Sequence, residues 1–103
     1  MGEFRTVAQV DDIPATGLKG LEVDGQKIVL VRQGNAVYAL EDQCSHEEFP
    51  LSDGELVAGQ LECALHGARF DPATGAPKAL PAVKPVKTFE CRVRDGRVEI
   101  RVD

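Results

Sequence analysis

Residues 89–102 read Phe-Glu-Cys-Arg-Val-Arg-Asp-Gly-Arg-Val-Glu-Ile-Arg-Val, and apolar residues alternate with polar ones on both sides of Asp95-Gly96. Phe89, Cys91 and Val93 share one face of the incoming segment. Val98, Ile100 and Val102 share the matching face of the outgoing one, while Arg92, Arg94, Arg97, Glu99 and Arg101 point to water. A period of two around a dipeptide that accepts positive φ is the signature of a half-buried antiparallel hairpin.

The rest of the chain follows the same logic. Asp24-Gly25, Gly34-Asn35 and Asp53-Gly54 punctuate it, residues 21–23, 27–32 and 36–40 supply three more strands in meander order, and residues 4–7 have the look of a first strand. No internal repeat and no helix of ten residues or more can be read. The expected fold is all-β, a small antiparallel sandwich or barrel. With 103 residues, the chain is expected to make one domain over residues 1–103 with a modest core that a bound metal would help to hold.

Two regions break the alternation. Over residues 43–70 the strands shorten and the loops lengthen, which marks this part as the place for a site. Between Pro77 and Pro85, three of the six prolines fall within nine residues. That predicts a stiff segment outside any regular ladder, of the kind that covers something.

Charge is distributed unevenly. Residues 41–62 hold Glu41, Asp42, Glu47, Glu48, Asp53, Glu55 and Glu62 and no Lys or Arg, whereas the remainder has ten acids against twelve bases. The net charge of −5 is therefore −7 in that window and +2 elsewhere. An acidic chain with this layout argues against nucleic acid or an anionic membrane as partner. No signal peptide is visible, and the apolar runs 28–31 and 36–40 are too short to span a bilayer. The first residues fit the loose myristoylation pattern, but they overlap the expected first strand. Three cysteines do not pair into a disulfide framework, so a reduced, cytoplasmic protein is expected. Cys91 and Tyr38 read as core residues, Cys91 as a small hydrophobe on an inward face.

The two histidines of the chain each stand beside a cysteine: Cys44-Ser45-His46 and Cys63-Ala64-Leu65-His66, with sixteen residues between His46 and Cys63. Two Cys/His pairs in turn-rich loops point to a metal site. Thiolate and imidazole donors exclude magnesium and calcium and leave zinc or iron–sulfur. A closed Cys₂His₂ zinc site and a cluster with two Cys on one iron and two His on the other use the same ligands, and counting does not separate them.

The surroundings add a resemblance. Cys44 to Gly67 fits the Cys-x-His, long gap, Cys-x-x-His-Gly pattern of the Rieske family. The likeness continues through Leu51-Ser52-Asp53-Gly54-Glu55, Phe70-Asp71, Thr74-Gly75 and Pro77 into the final hairpin. The chain is similar to the small Rieske ferredoxins that serve bacterial aromatic-ring-hydroxylating dioxygenases. Ala64 stands where many members carry Pro.

The resemblance implies one [2Fe-2S] cluster per chain, with Cys44 and Cys63 on the inner iron and His46 and His66 on the outer one, and no catalytic residues. It implies a Rieske-type fold with a cluster-binding part near residues 43–70 and the proline segment as covering loop. Gly67 is expected to permit close approach of its loop. High-potential relatives have an extra Cys in each cluster loop, where Phe49 and Leu65 stand here, and hydroxyls where Ala68 and Phe70 stand. Fewer hydrogen bonds to sulfur imply a low potential, near the lower end of the Rieske range, about −150 mV.

The implied function is a monomeric one-electron carrier between a flavin-dependent ferredoxin reductase and a terminal oxygenase, docking transiently near His46 and His66. The alternatives are a Rieske-type small subunit of a larger reductase, such as nitrite reductase, and a zinc-stabilised binding module.

Overall fold

The computed structural model describes residues 3–43, 50–64, 67–79 and 84–101. Among the described residues ten strands follow one another: β1 (Arg5–Gln9), β2 (Thr16–Val23), β3 (Gln26–Gln33), β4 (Ala36–Glu41), β5 (Glu55–Val57), β6 (Gln60–Glu62), β7 (Arg69–Phe70), β8 (Pro77–Ala79), β9 (Thr88–Arg94) and β10 (Arg97–Arg101). The only helical pieces among the described residues are two 3₁₀ turns, Val10–Asp12 and Leu51–Asp53. None of the described helices is long and apolar enough to cross a membrane.

The strands form two antiparallel sheets, one in the order β1-β10-β9-β4-β3-β2 and a smaller one in the order β5-β6-β7-β8. The first curls into a half-barrel. Its edge strands β1 and β2 face each other across a cleft lined by Arg5, Thr6, Val7 and residues 21–24, and an Arg5–Asp24 ion pair of 2.7 Å bridges it. The second sheet is a small lobe inserted between β4 and β9.

Strand β3 explains how the two parts share a core. Ile28 and Leu30 point into the half-barrel with Ile13, Val23, Val37, Ala39, Val98 and Ile100. Val29 and Val31 point the other way, into a cluster with Leu40, Leu51, Leu61, Cys63, Ala68, Phe70 and Val86. All four β3 residues are fully buried. The unbroken apolar run 28–31 is therefore a strand covered on both faces, each large side chain contributing roughly 1.5–3 kcal/mol by leaving water.

Several expectations change in detail. The first strand begins at Arg5 rather than Phe4, whose ring lies instead under the guanidinium groups of Arg92 and Arg101, 3.9 and 4.6 Å from its centroid. The strand expected at 21–23 starts at Thr16; Gly17 and Gly20 hide its pattern. Val93 is 41% exposed although Val98 opposite it is buried. β9 forms ladder pairs with β4 at Phe89 and Thr88, and among the described residues the far end of β9 has no ladder partner on that side. Cys91 and Phe89 are half-buried against the barrel core, as is Tyr38 against the shared cluster. Val102 lies outside the described residues.

Asp24-Gly25 and Asp95-Gly96 carry positive φ at both positions, as type I′ hairpins require. Asp53-Gly54 is different. It closes a 3₁₀ turn, Gly54 has φ −88°, and a glycine is needed because a Cβ would collide with the Glu62 carbonyl. The proline segment is also corrected: Pro77 opens β8, pairing with Phe70. It is tolerated because β8 is an edge strand, where one row of N–H groups has no ladder partner. Of the rest of the expected covering loop, residues 80–83 lie outside the described residues, and Lys84 and Pro85 are exposed.

Candidate metal centre

The lobe is built from strands of two or three residues, too short to hold themselves by ladder bonds. Three loops leave it or return to it, and each is fastened at its base. The first, between β4 and the Leu51–Asp53 turn, is closed by the Asp42 carboxylate. Its Oδ1 accepts the Ser52 backbone N–H and its Oδ2 accepts the Ser52 hydroxyl, both at 2.7 Å. The second, between β6 and β7, is closed where the Cys63 N–H donates to the Ala68 carbonyl at 2.7 Å. The third, between β8 and β9, is tied near its end to the β7–β8 connection, where the Val86 N–H donates to the Gly75 carbonyl at 2.9 Å. Leu51, Cys63, Ala68 and Val86 from these bases all belong to the shared apolar cluster.

Cys63 is the expected ligand that the structure describes. Its side chain is 1% exposed, packed in the cluster that holds Leu61, Ala68 and Phe70. A thiolate donor in a dry apolar setting fits a soft metal or an iron–sulfur group and is wrong for magnesium or calcium. Gly67 has φ 71°, so the reason for glycine is backbone conformation: the turn between Cys63 and Ala68 needs the left-handed region. Cys44, His46 and His66, like Phe49 and Leu65, lie outside the described residues. Among the described residues no three His, Cys, Asp or Glu side chains gather as a metal site.

Other residues sort themselves by environment. Burial pushes the Cys91 thiol up to about 11, which keeps it a neutral hydrophobe in the barrel. Of the seven acids in the 41–62 window, Asp42 is engaged with Ser52 and Glu62 pairs with Arg69 at 2.9 Å. Asp53 and Glu55 are exposed. Glu47 and Glu48 lie outside the described residues. In the sequence Asp42 reads only as charge; its role as a fastener has no signal beyond its place directly before a loop.

The Rieske [2Fe-2S] domain family matches residues 3–90. The chain belongs to this family. Its Rieske domain carries a [2Fe-2S] cluster of that type, and its curated relatives include ferredoxin components of dioxygenase systems. One is the ferredoxin subunit of anthranilate 1,2-dioxygenase from Burkholderia cepacia, 43% identical over 81 residues, covering 78% of this chain and 75% of the relative. Among solved structures, the ferredoxin of carbazole 1,9a-dioxygenase from Nocardioides aromaticivorans superposes with a TM-score of 0.89 at 37% identity, covering 94% of this chain and 95% of its own. A chain in a complex of reduced oxygenase and oxidised ferredoxin of carbazole 1,9a-dioxygenase gives a TM-score of 0.88 at 30% identity, with 95% and 92% covered. The all-β Rieske fold read from the alternation and the motif is the fold found.

Proposed function

We propose that this chain is a one-electron carrier that accepts an electron from a flavin-dependent ferredoxin reductase and delivers it to a terminal oxygenase of an aromatic-ring-hydroxylating system. The observation that carries the reading is Cys63, buried in an apolar cluster on which three fastened loop bases converge. Likeness to a ferredoxin seen in complex with its oxygenase supports the acceptor. When bound, the [2Fe-2S] group supplies one-electron redox chemistry.

In this reading Cys44 and Cys63 hold the inner iron, and His46 and His66 hold the outer one. The residues 29, 31, 40, 51, 61, 68 and 70 keep water from the thiolate side. Neutral imidazoles on the other side make an added electron easier to accept than four thiolates would. Ala68 and Phe70 offer no hydroxyl to sulfur, which agrees with a potential near the lower end of the Rieske range, about −150 mV. The protein acts as a cytoplasmic, monomeric single domain over residues 1–103, meeting its partners transiently beside His46 and His66.

Iron, zinc and acid-labile sulfide in the purified protein test the reading. Two irons and two sulfides per chain are expected, lost on His46→Ala or His66→Ala and kept in Cys91→Ala. Stoichiometric zinc without sulfide would make it a zinc-stabilised module instead. Encounter with a basic partner is also expected to slow as salt rises, because exposed charge is screened within about 10 Å at 0.1 M. Stopped-flow reduction across a salt series reads this. Replacing Glu47 and Glu48 together by Gln should flatten the dependence without altering the visible spectrum, and a flat series for the unaltered protein would discard an electrostatic docking face.

A further inference from the structure

Resting on the assignment of Cys44 and His46 as ligands, we infer that Asp42 and Ser52 form a latch that holds the first ligand loop in its metal-binding shape. Asp42 is thus a positioning residue for the cluster.

Three observations meet at this pair. The first is the bidentate geometry: both carboxylate oxygens of Asp42 are used on one residue, accepting the Ser52 N–H and hydroxyl at 2.7 Å each. Hydrogen bonds to an ionised acceptor at this length are among the stronger ones, and both groups are half-buried, which limits screening. The second is that each jaw is itself anchored. The Asp42 N–H donates to the Lys27 carbonyl of β3 at 3.0 Å, and Leu51, beside Ser52, is fully buried. The third is the space left for the latch. A Cβ on Gly20 of β2 would lie 2.9 Å from the Ser52 hydroxyl oxygen and 3.2 Å from Asp42 Oδ2. Gly20 is not in the left-handed region, so its lack of a side chain serves this close approach and not a turn.

The nine residues between the jaws include both proposed ligands of the first pair. With its ends joined at one carboxylate, this loop has fewer arrangements from which to recruit Cys44 and His46, and fewer into which it can open. Residues that orient metal ligands from outside the coordination sphere commonly alter metal retention 10- to 100-fold. A latch that merely added stability would act differently: it would weaken the whole lobe without singling out the metal.

The test compares metal release with stability in the cluster-loaded protein. Iron transfer to a strong ferrous chelator is timed for Asp42→Ala, Ser52→Ala, Ser52→Thr and Gly20→Ala. A control, Gln33→Ala, removes the Gln33 side-chain bond to the Gly59 carbonyl, which also ties barrel to lobe but does not touch the loop. We expect iron loss about tenfold faster in Asp42→Ala and several-fold faster in Ser52→Ala and Gly20→Ala, with a broadened electron paramagnetic resonance signal after reduction. Ser52→Thr keeps both donors and should stay within about twofold of the original, as should the Gln33→Ala control. Release in Ser52→Ala and Gly20→Ala matching that of the control would overturn the latch, whether or not Asp42→Ala folds. Cys44→Ser separates the two levels. If it retains a full, unaltered cluster, the ligand assignment fails; if it loses the cluster while the latch variants match the control, the latch alone fails.

Discussion

The half-barrel and the lobe are held together by different means. In the half-barrel, strands of five to eight residues are joined by ladders that are long everywhere but at the β4–β9 junction, around an apolar interior. In the lobe, strands of two or three residues are supplemented by single bonds at loop bases, and part of the apolar cluster is borrowed from β3 and β4. A region with long ladders resists local opening by itself. One with short ladders depends on what crosslinks it, and in the proposed reading that crosslink is the cluster held through Cys44, His46, Cys63 and His66.

The largest break in this comparison should come from removing iron. Amides of residues 50–70 are expected to lose hydrogen-exchange protection in the apo-protein, while residues 26–33 and 88–101 keep theirs. Equal loss in both regions would show that the half-barrel does not stand alone. Core truncations come next. Leu30→Ala, which touches only the barrel interior, should cost about 2–5 kcal/mol and lower protection everywhere. Phe70→Ala should cost about 3–5 kcal/mol, concentrated in the lobe, and hasten iron loss. Denaturant unfolding with exchange mapped by mass spectrometry tells the two patterns apart.

A smaller effect sharpens the comparison from the other side. Ala58 and Gly59 join β5 to β6 with φ of 50° and 78°, a turn in which alanine is strained. Ala58→Asn supplies the Asn-Gly pair that this turn prefers and should stabilise the lobe by about 0.5–1 kcal/mol, visible as slower exchange in β5 and β6 alone. The smallest effect belongs to the barrel. The Cys91 thiol is raised from 9.0 to about 11, so the folded state keeps a proton that the unfolded chain gives up. The stability tied to this thiol is intact below pH 9 and lost as pH rises towards 11. Alkylation of Cys91 at pH 8 should be roughly 100-fold slower in the folded protein than in urea, in proportion to its thiolate fraction.

What could be read beforehand divides along the same line. The barrel was legible because its code is local: alternation at 89–102 and Asp-Gly turns place strands without knowledge of their neighbours. Where a tertiary contact sets the residue, the pattern fails. Gly20 looks like a strand breaker until the Asp42–Ser52 pair is seen beside it. Val93 has the right period for burial, yet it is exposed. Ala58-Gly59 carries no side-chain signal for its turn. The candidate site was legible for another reason: thiolate and imidazole pairs are rare enough to be read as chemistry. Cys63 lies in an apolar cluster, while the fastening of the other loop, between β4 and the Leu51–Asp53 turn, is made by an ordinary aspartate and serine and could not be distinguished from surface charge.

The inserted lobe leaves the barrel after β4 and returns just before β9, and these ends are joined by a bond of 2.9 Å from the Glu41 N–H to the Lys87 carbonyl. Two chain ends in direct contact make a module that can be cut out or transplanted. Bringing together the ends of a tether of about 45 residues costs roughly 3 kcal/mol by chain statistics, most of which a two-residue splice would spare. Replacing residues 42–86 by Asn-Gly, with Val29, Val31 and Leu40 made polar to suit their new exposure, should leave a miniature six-stranded barrel. Grafted between two hydrogen-bonded strands of an unrelated sheet, the same module would, with the proposed ligands, be a portable redox cassette, provided that the host offers an apolar surface where β3 and β4 now stand.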